Sequence, residues 1–158
     1  MAVVSIERIE VGGGVLRARV RVGEEAPLRT AAITGLAEAA LGLLPGLRRH
    51  TCDNDDGRDF ARELRDTETA HLLEHVACEL MALAGSPRSL RGETSWDFSR
   101  DGRGVYRVAL QFDDDLVAMG ALREAAVIVE WLLDGAPAEV RPDVGEAVRR
   151  LSELRSRD

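Results

Sequence analysis

Residues 15–22 read Val15-Leu16-Arg17-Ala18-Arg19-Val20-Arg21-Val22. Arg17, Arg19 and Arg21 alternate with Val20 and Val22, the period of two that marks a strand with one wet face. Just before it, Gly12-Gly13-Gly14 reads as a turn. Residues 3–11, Val-Val-Ser-Ile-Glu-Arg-Ile-Glu-Val, supply a partner strand. The pair predicts a β-hairpin with one face in water.

The remaining elements follow outward from that hairpin. Residues 28–44 carry Ile33, Leu36, Ala37, Ala40, Leu41 and Leu44 at helical spacing, and Pro45-Gly46 ends that helix. A polar loop follows, His50-Thr51-Cys52-Asp53-Asn54-Asp55-Asp56-Gly57. A second helix is predicted over about 67–84, with Thr67 as N-cap and Gly85 and Pro87 as the stop. Residues 86–103 are rich in Gly, Ser and Arg and read as an exposed loop. Val105-Tyr106-Arg107-Val108-Ala109-Leu110-Gln111-Phe112 reads as a strand. Residues 115–133 form a third helix, ended by Gly135 and Pro137, and 143–155 a fourth, amphipathic on Val144, Ala147, Val148, Leu151 and Leu154. The order β-β-α-α-β-α-α predicts an α+β domain over 1–158, a small antiparallel sheet covered on one face by about four helices.

Composition narrows the function. A chain of 158 residues fits one domain and buries a core without disulfides. Aromatics are 4%, so the core is built from Leu, Val, Ile and Ala. The net charge of −7 argues against a nucleic-acid partner, which needs a basic stripe. All 21 basic residues are Arg, which excludes a lysine Schiff base and a phosphate-loop lysine. No segment approaches the roughly 20 apolar residues of a membrane span, so no membrane partner is expected. Met1-Ala2-Val3-Val4-Ser5 lacks the pattern of a signal peptide, and Cys52 and Cys78 are too few for a disulfide framework. The expected location is the cytoplasm.

The second helix holds the chemistry. Each helical residue advances about 100°, so His71, Glu74, His75 and Cys78 share one face, opposite Leu72, Leu73, Val76, Leu80 and Leu83. Two imidazoles at i and i+4 reach a single zinc ion, and a carboxylate beside the second lies close enough to take a proton from an activated water. His-x-x-Glu-His is the inverted zinc-peptidase order. The face therefore reads as a metal-dependent hydrolase site or the remnant of one, with His71 and His75 as ligands and Glu74 as acid/base. The bland alternative is a solvated helix face. A catalytic zinc site takes three protein ligands. His50 is the first choice for the third, Cys52 can replace it or share the role, and Glu93 and Glu124 are carboxylate candidates. Cys78 reads better as a small buried thiol.

These residues carry a resemblance. The run His71-Leu72-Leu73-Glu74-His75-Val76-Ala77-Cys78-Glu79-Leu80-Met81-Ala82-Leu83-Ala84-Gly85 resembles a helix of the N-terminal domain of cyanophycin synthetase. His50-Thr51-Cys52 is similar to that domain's His-x-Cys segment, and Arg91-Gly92-Glu93-Thr94 to its Arg-Glu-Thr turn. Gly104-Val105-Tyr106-Arg107-Val108 resembles its Gly-x-Tyr-x-Val strand, and Ala125-Ala126-Val127 its Ala-Ala-Val helix. The likeness spans roughly residues 45–130. It implies a domain that binds the Asp-Arg polymer and, in some members, cuts it to make primers at a metallopeptidase-like site. Glu74 is then the acid/base, and His71 and His75 hold the metal.

The resemblance also sets limits. The synthetase adds an ATP-grasp and a Mur-ligase domain, for which 158 residues leave no room. The synthetase reaction itself is therefore not expected. The loop after Cys52 departs from the family's Gly-rich, basic pattern with Asp53-Asn54-Asp55-Asp56, an acidic run suited to arginine side chains or to a solvated turn. Glu124 stands where the family more often has a basic residue, which favours His50. The leading expectation is a zinc-dependent peptidase or amidohydrolase acting on cyanophycin-like or other Arg/Asp-containing peptides, with Arg91 and Glu93 orienting substrate. The competing expectations are a non-catalytic module that binds a peptide or partner, and a structural zinc site closed by Cys52 or Cys78. For assembly, the fourth helix offers a face for a homodimer.

Overall fold

The computed structural model describes residues 3–52 and 59–155. Strand β1 (Val4–Gly12) turns at Gly13 and Gly14 into β2 (Val15–Val22). Both turn glycines have positive φ, 61° and 74°, the conformation a tight hairpin turn demands. Leu16, Ala18, Val20 and Val22 are buried while Arg17, Arg19 and Arg21 stay exposed, so the alternation is realised as one dry and one wet face. On the wet face Arg19 and Arg21 reach Glu7 at 3.6 and 3.2 Å. Such exposed pairs add little stability.

Strand β2 pairs antiparallel with the predicted third strand, Val105–Gln111, setting Val20 opposite Tyr106, Ala18 opposite Val108 and Leu16 opposite Leu110. The expected loop 86–103 is not all loop. Gly92–Ser95 pairs with the far edge of Val105–Gln111 as a further strand. In chain order these are β3 (Gly92–Ser95) and β4 (Val105–Gln111), and the sheet runs β1-β2-β4-β3, antiparallel throughout. The sequence Gly92-Glu93-Thr94-Ser95 has no apolar alternation, and the ladder to β4 alone makes it a strand.

The helices are α1 (Leu36–Leu43), α2 (Phe60–Glu63), α3 (Thr69–Leu83), α4 (Phe98–Asp101), α5 (Asp115–Leu133) and α6 (Val144–Arg155). The fold is α+β, with the single turns α2 and α4 added to the four expected helices. Helix α1 is shorter than 28–44, because Gly35 takes φ 79° and interrupts the run. Helix α3 packs on β2, β3 and β4, α5 lies beside it against β1 and β2, and α6 covers both helices. Helix α6 meets α5 at Gly120, where an added Cβ would lie 2.7 Å from Leu151. Among the described residues, no helix is long and apolar enough to cross a membrane.

Helix α3 stops before Gly85 as expected but departs from expectation at its N-cap and at one core position. Its N-cap residue is Glu68, not Thr67, and Glu68 makes no side-chain cap. Its carboxylate instead accepts from the Tyr106 hydroxyl and from Arg29 at 3.0 Å. Thr67 is thereby left to bond His71. Leu72, Leu73, Val76 and Leu80 are fully buried, but Leu83 is 43% exposed and lies outside the core stripe.

Candidate metal centre

One turn of α3 brings the two histidines together. His71 Nε2 and His75 Nε2 lie 3.1 Å apart, and Cys52 Sγ lies 3.8 Å from the first and 3.5 Å from the second. A tetrahedral zinc ion, with bonds of about 2.05 Å to nitrogen and 2.3 Å to sulfur, needs edges of about 3.3 Å (N–N) and 3.6 Å (N–S). The three donors match those edges within a few tenths of an ångström, so Cys52, His71 and His75 could hold a metal ion. Their other ring nitrogens are tied off as metal ligation requires. His71 Nδ1 meets Thr67 Oγ1 at 2.9 Å, and His75 Nδ1 meets His50 Nδ1 at 2.9 Å.

The site is not a solvated helix face. Glu74 and His75 are 4% and 6% exposed. Phe60, on α2, stacks on His75 with ring centroids 3.8 Å apart and meets His71 edge-on. Burial pushes His71 down to about 4. Burial, helped by neighbouring His71 and His50, pushes His75 down to about 2. Both rings are therefore neutral near pH 7, the form that ligates metal.

Glu74 stands beside this group. Its Oε2 is 3.5 Å from His75 Nε2, and its Oε1 accepts from Thr94 Oγ1 at 2.8 Å. Burial raises its pKa to about 7, against the Thr94 hydrogen bond and with help from Glu93. Strand β3 makes the space. An added Cβ on Gly92 would lie 2.7 Å from Glu74 Cγ, so only glycine lets the carboxylate lie flat against the strand.

Residues 17–134 match the model of the family described as the cyanophycin synthase-like N-terminal domain. The chain belongs to that family. Its relatives include a cyanophycin synthetase from Geminocystis herdmanii, 30% identical over 102 residues, or 56% of this chain and 12% of that protein. A cyanophycin synthetase from Synechocystis sp. is 30% identical over 103 residues, or 65% of this chain and 11% of that protein. The chain thus spans about a tenth of the length of the curated relatives it matches.

In this member of the cyanophycin synthase-like N-terminal family, the third donor nearest the histidine pair is Cys52. His50, the first choice from sequence, is turned away from the convergence point. Its two ring nitrogens face His75 and Glu79, each at 2.9 Å. Glu124 does not line the cleft. It lies on α5 and pairs with Arg150 of α6 at 2.8 Å. Cys78 stays a thiol, because burial, with Glu74 and Glu79 nearby, pushes it up to about 12. Arg91 and Glu93 both line the cleft, which encloses about 1080 Å³ in front of the donor group. The acidic run 53–56 lies outside the described residues.

Sequence pattern assigns no role to three further residues of the site, Phe60, Thr94 and Glu79. Phe60 and Thr94 belong to elements too short for a periodic signal. Glu79 had a signal: it follows His75 by four residues and so continues the face. It is 1% exposed, and burial opposes its charge, but hydrogen bonds from His50 and Arg88 prevail and hold it at about 2.

Proposed function

We propose that this chain is a zinc-dependent peptidase that hydrolyses amide bonds in Asp/Arg-containing peptides of the cyanophycin type. The observation that carries this reading is Glu74: a buried carboxylate with a pKa of about 7, set 3.5 Å from His75 Nε2 at the edge of an open cleft. A general base works best when its pKa lies near the working pH.

Cys52, His71 and His75 would hold the metal, and His50 would support His75 from behind. Three protein ligands and a cleft are the pattern of a catalytic rather than a structural zinc site. A metal ion held there would supply Lewis acidity, enough to bring the pKa of a water down to about 7. Glu74 Oε2 takes a proton from the attacking water and delivers it to the departing amine nitrogen. One water is consumed, and a carboxylate and an amine are released. Thr94 holds the other oxygen, Oε1, so the carboxylate keeps a single orientation through both transfers. Arg91 and Glu93 offer opposite charges at the cleft wall, suited to a substrate that carries both carboxylates and guanidinium groups.

The test is cleavage of a short Asp-Arg dipeptide polymer and of linear Asp/Arg peptides, followed by mass spectrometry with and without chelator. Zinc-dependent cleavage that falls by ~10²-fold or more in Glu74→Gln is expected. A Glu74→Gln protein with full activity removes this mechanism. Binding of the polymer without cleavage of any peptide makes the chain a binding module instead.

A further inference from the structure

We infer that Glu79 is a positioning residue. It sets the direction of a two-imidazole hydrogen-bond chain that presents the Nε2 lone pair of His75 to the donor group. The inference rests on the reading above, that Cys52, His71 and His75 hold the metal.

The geometry is a line of four groups. Arg88 donates to Glu79 at 2.8 and 3.4 Å. Glu79 Oε1 meets His50 Nε2 at 2.9 Å, and His50 Nδ1 meets His75 Nδ1 at 2.9 Å. The far nitrogen of His75 is the one 3.1 Å from His71 Nε2 and 3.5 Å from Cys52 Sγ.

With both rings neutral, hydrogen-bond chemistry gives that line only one polarity. A carboxylate paired with a guanidinium has no proton and only accepts. His50 Nε2 must therefore carry the hydrogen. A neutral imidazole has one donor and one acceptor, so His50 Nδ1 accepts. His75 Nδ1 must then donate, which leaves His75 Nε2 unprotonated and facing Cys52 and His71. With the polarity reversed, His75 would carry a hydrogen on Nε2, where a metal would bind. Two facing imidazoles alone satisfy either polarity equally, and Glu79 removes the tie.

The backbone is shaped around this carboxylate. An added Cβ on Gly46 would lie 2.0 Å from Glu79 Oε2 and 2.6 Å from Cδ. Gly46 has no positive φ, so close approach, not backbone conformation, accounts for glycine there. Glu79 does not line the cleft and so acts through His50, not on substrate. A buried carboxylate is costly even when paired, and a purely structural role would not fix ring polarity.

Two measurements on the full chain decide it. The first is the ¹⁵N ring spectrum of the metal-free wild type. The expected result is a hydrogen on His75 Nδ1 and on His50 Nε2; the reverse assignment overturns the inference and needs no variant. The second is zinc affinity by chelator competition for wild type, Glu79→Gln and Cys52→Ala. An amide both donates and accepts, so Glu79→Gln should mix the two polarities and weaken zinc by ~10–100-fold, the usual loss for an orienting partner. Glu79→Gln with wild-type affinity and unchanged ring assignments overturns the inference and leaves the metal site standing. A wild type that binds no zinc fails the metal-site reading itself, and the inference with it.

Discussion

Gly92→Ala separates the placement of Glu74 from the stability of the fold. Gly92 has no positive φ, so alanine fits the backbone and only space is at issue. The new methyl would lie 2.7, 2.8 and 2.9 Å from Glu74 Cγ, Oε2 and Cδ. Carbon contacts prefer about 3.5–4.0 Å, so Glu74 must retreat by roughly 1 Å. The retreat breaks the 2.8 Å bond from Thr94. A hydrogen bond to a charged group contributes about 1.5–3 kcal/mol, and the loss of chain entropy from Gly→Ala returns ~0.4–1 kcal/mol. The net expected loss is about 1–2 kcal/mol, measurable by urea unfolding at fixed zinc. Activity should suffer far more, because a displacement of about 1 Å at the reacting centre costs on the order of 10²-fold. Gly42→Ala is the control: it sits in α1 with nothing within 4 Å and should stabilise by ~0.5–1 kcal/mol with activity unchanged. A Gly92→Ala protein as active as wild type would show that the position of Glu74 does not govern the reaction.

Gly46→Ala drives a methyl into Glu79 rather than Glu74, and at shorter range, 2.0 Å from Oε2. Urea unfolding should show a loss of about 3 kcal/mol, because overpacking and the disturbed hydrogen bonds of the buried Glu79 carboxylate both contribute. The metal-free protein should lose stability on acidification below pH 6.5, since His71 and His75 take about 4 and about 2 when folded and the unfolded chain binds the extra protons. Glu74 acts with the opposite sign. Its folded value of about 7 lies above the ordinary 4.5, so the stability its protonated form gives at low pH is lost as pH rises through 7. Between pH 6.5 and 8 that loss is about 1 kcal/mol, and unfolding of Glu74→Gln over the same window should show none of it.

The hairpin was legible because alternation and a glycine turn act locally, and the register of β2 against β4 confirms which face is dry. Strand β3 was not legible, because four polar or small residues acquire strand geometry only from the ladder they join. The pair His71 and His75 could be read from helical spacing alone. The third donor could not. His50 and Cys52 are two residues apart, His50 is extended (φ −73°, ψ 143°), and both face α3. Period-two geometry sends them to the same side, and only the packing of Phe60 and Glu79 against the rings decides which one meets the Nε2 atoms. Glu74 was legible as a neighbour of the histidines, but its burial and its raised pKa depend on Gly92 and Thr94, eighteen and twenty residues away in sequence.

The most direct test of the central claim is the metal content of the protein purified without added ions or chelator, measured for wild type, Cys52→Ala, His71→Ala and Glu74→Gln. One zinc per chain is predicted in wild type and in Glu74→Gln, and a loss of it in Cys52→Ala and in His71→Ala. Zinc retained in full by both ligand variants, or absent from wild type even after zinc is supplied, would contradict the site built on Cys52, His71 and His75.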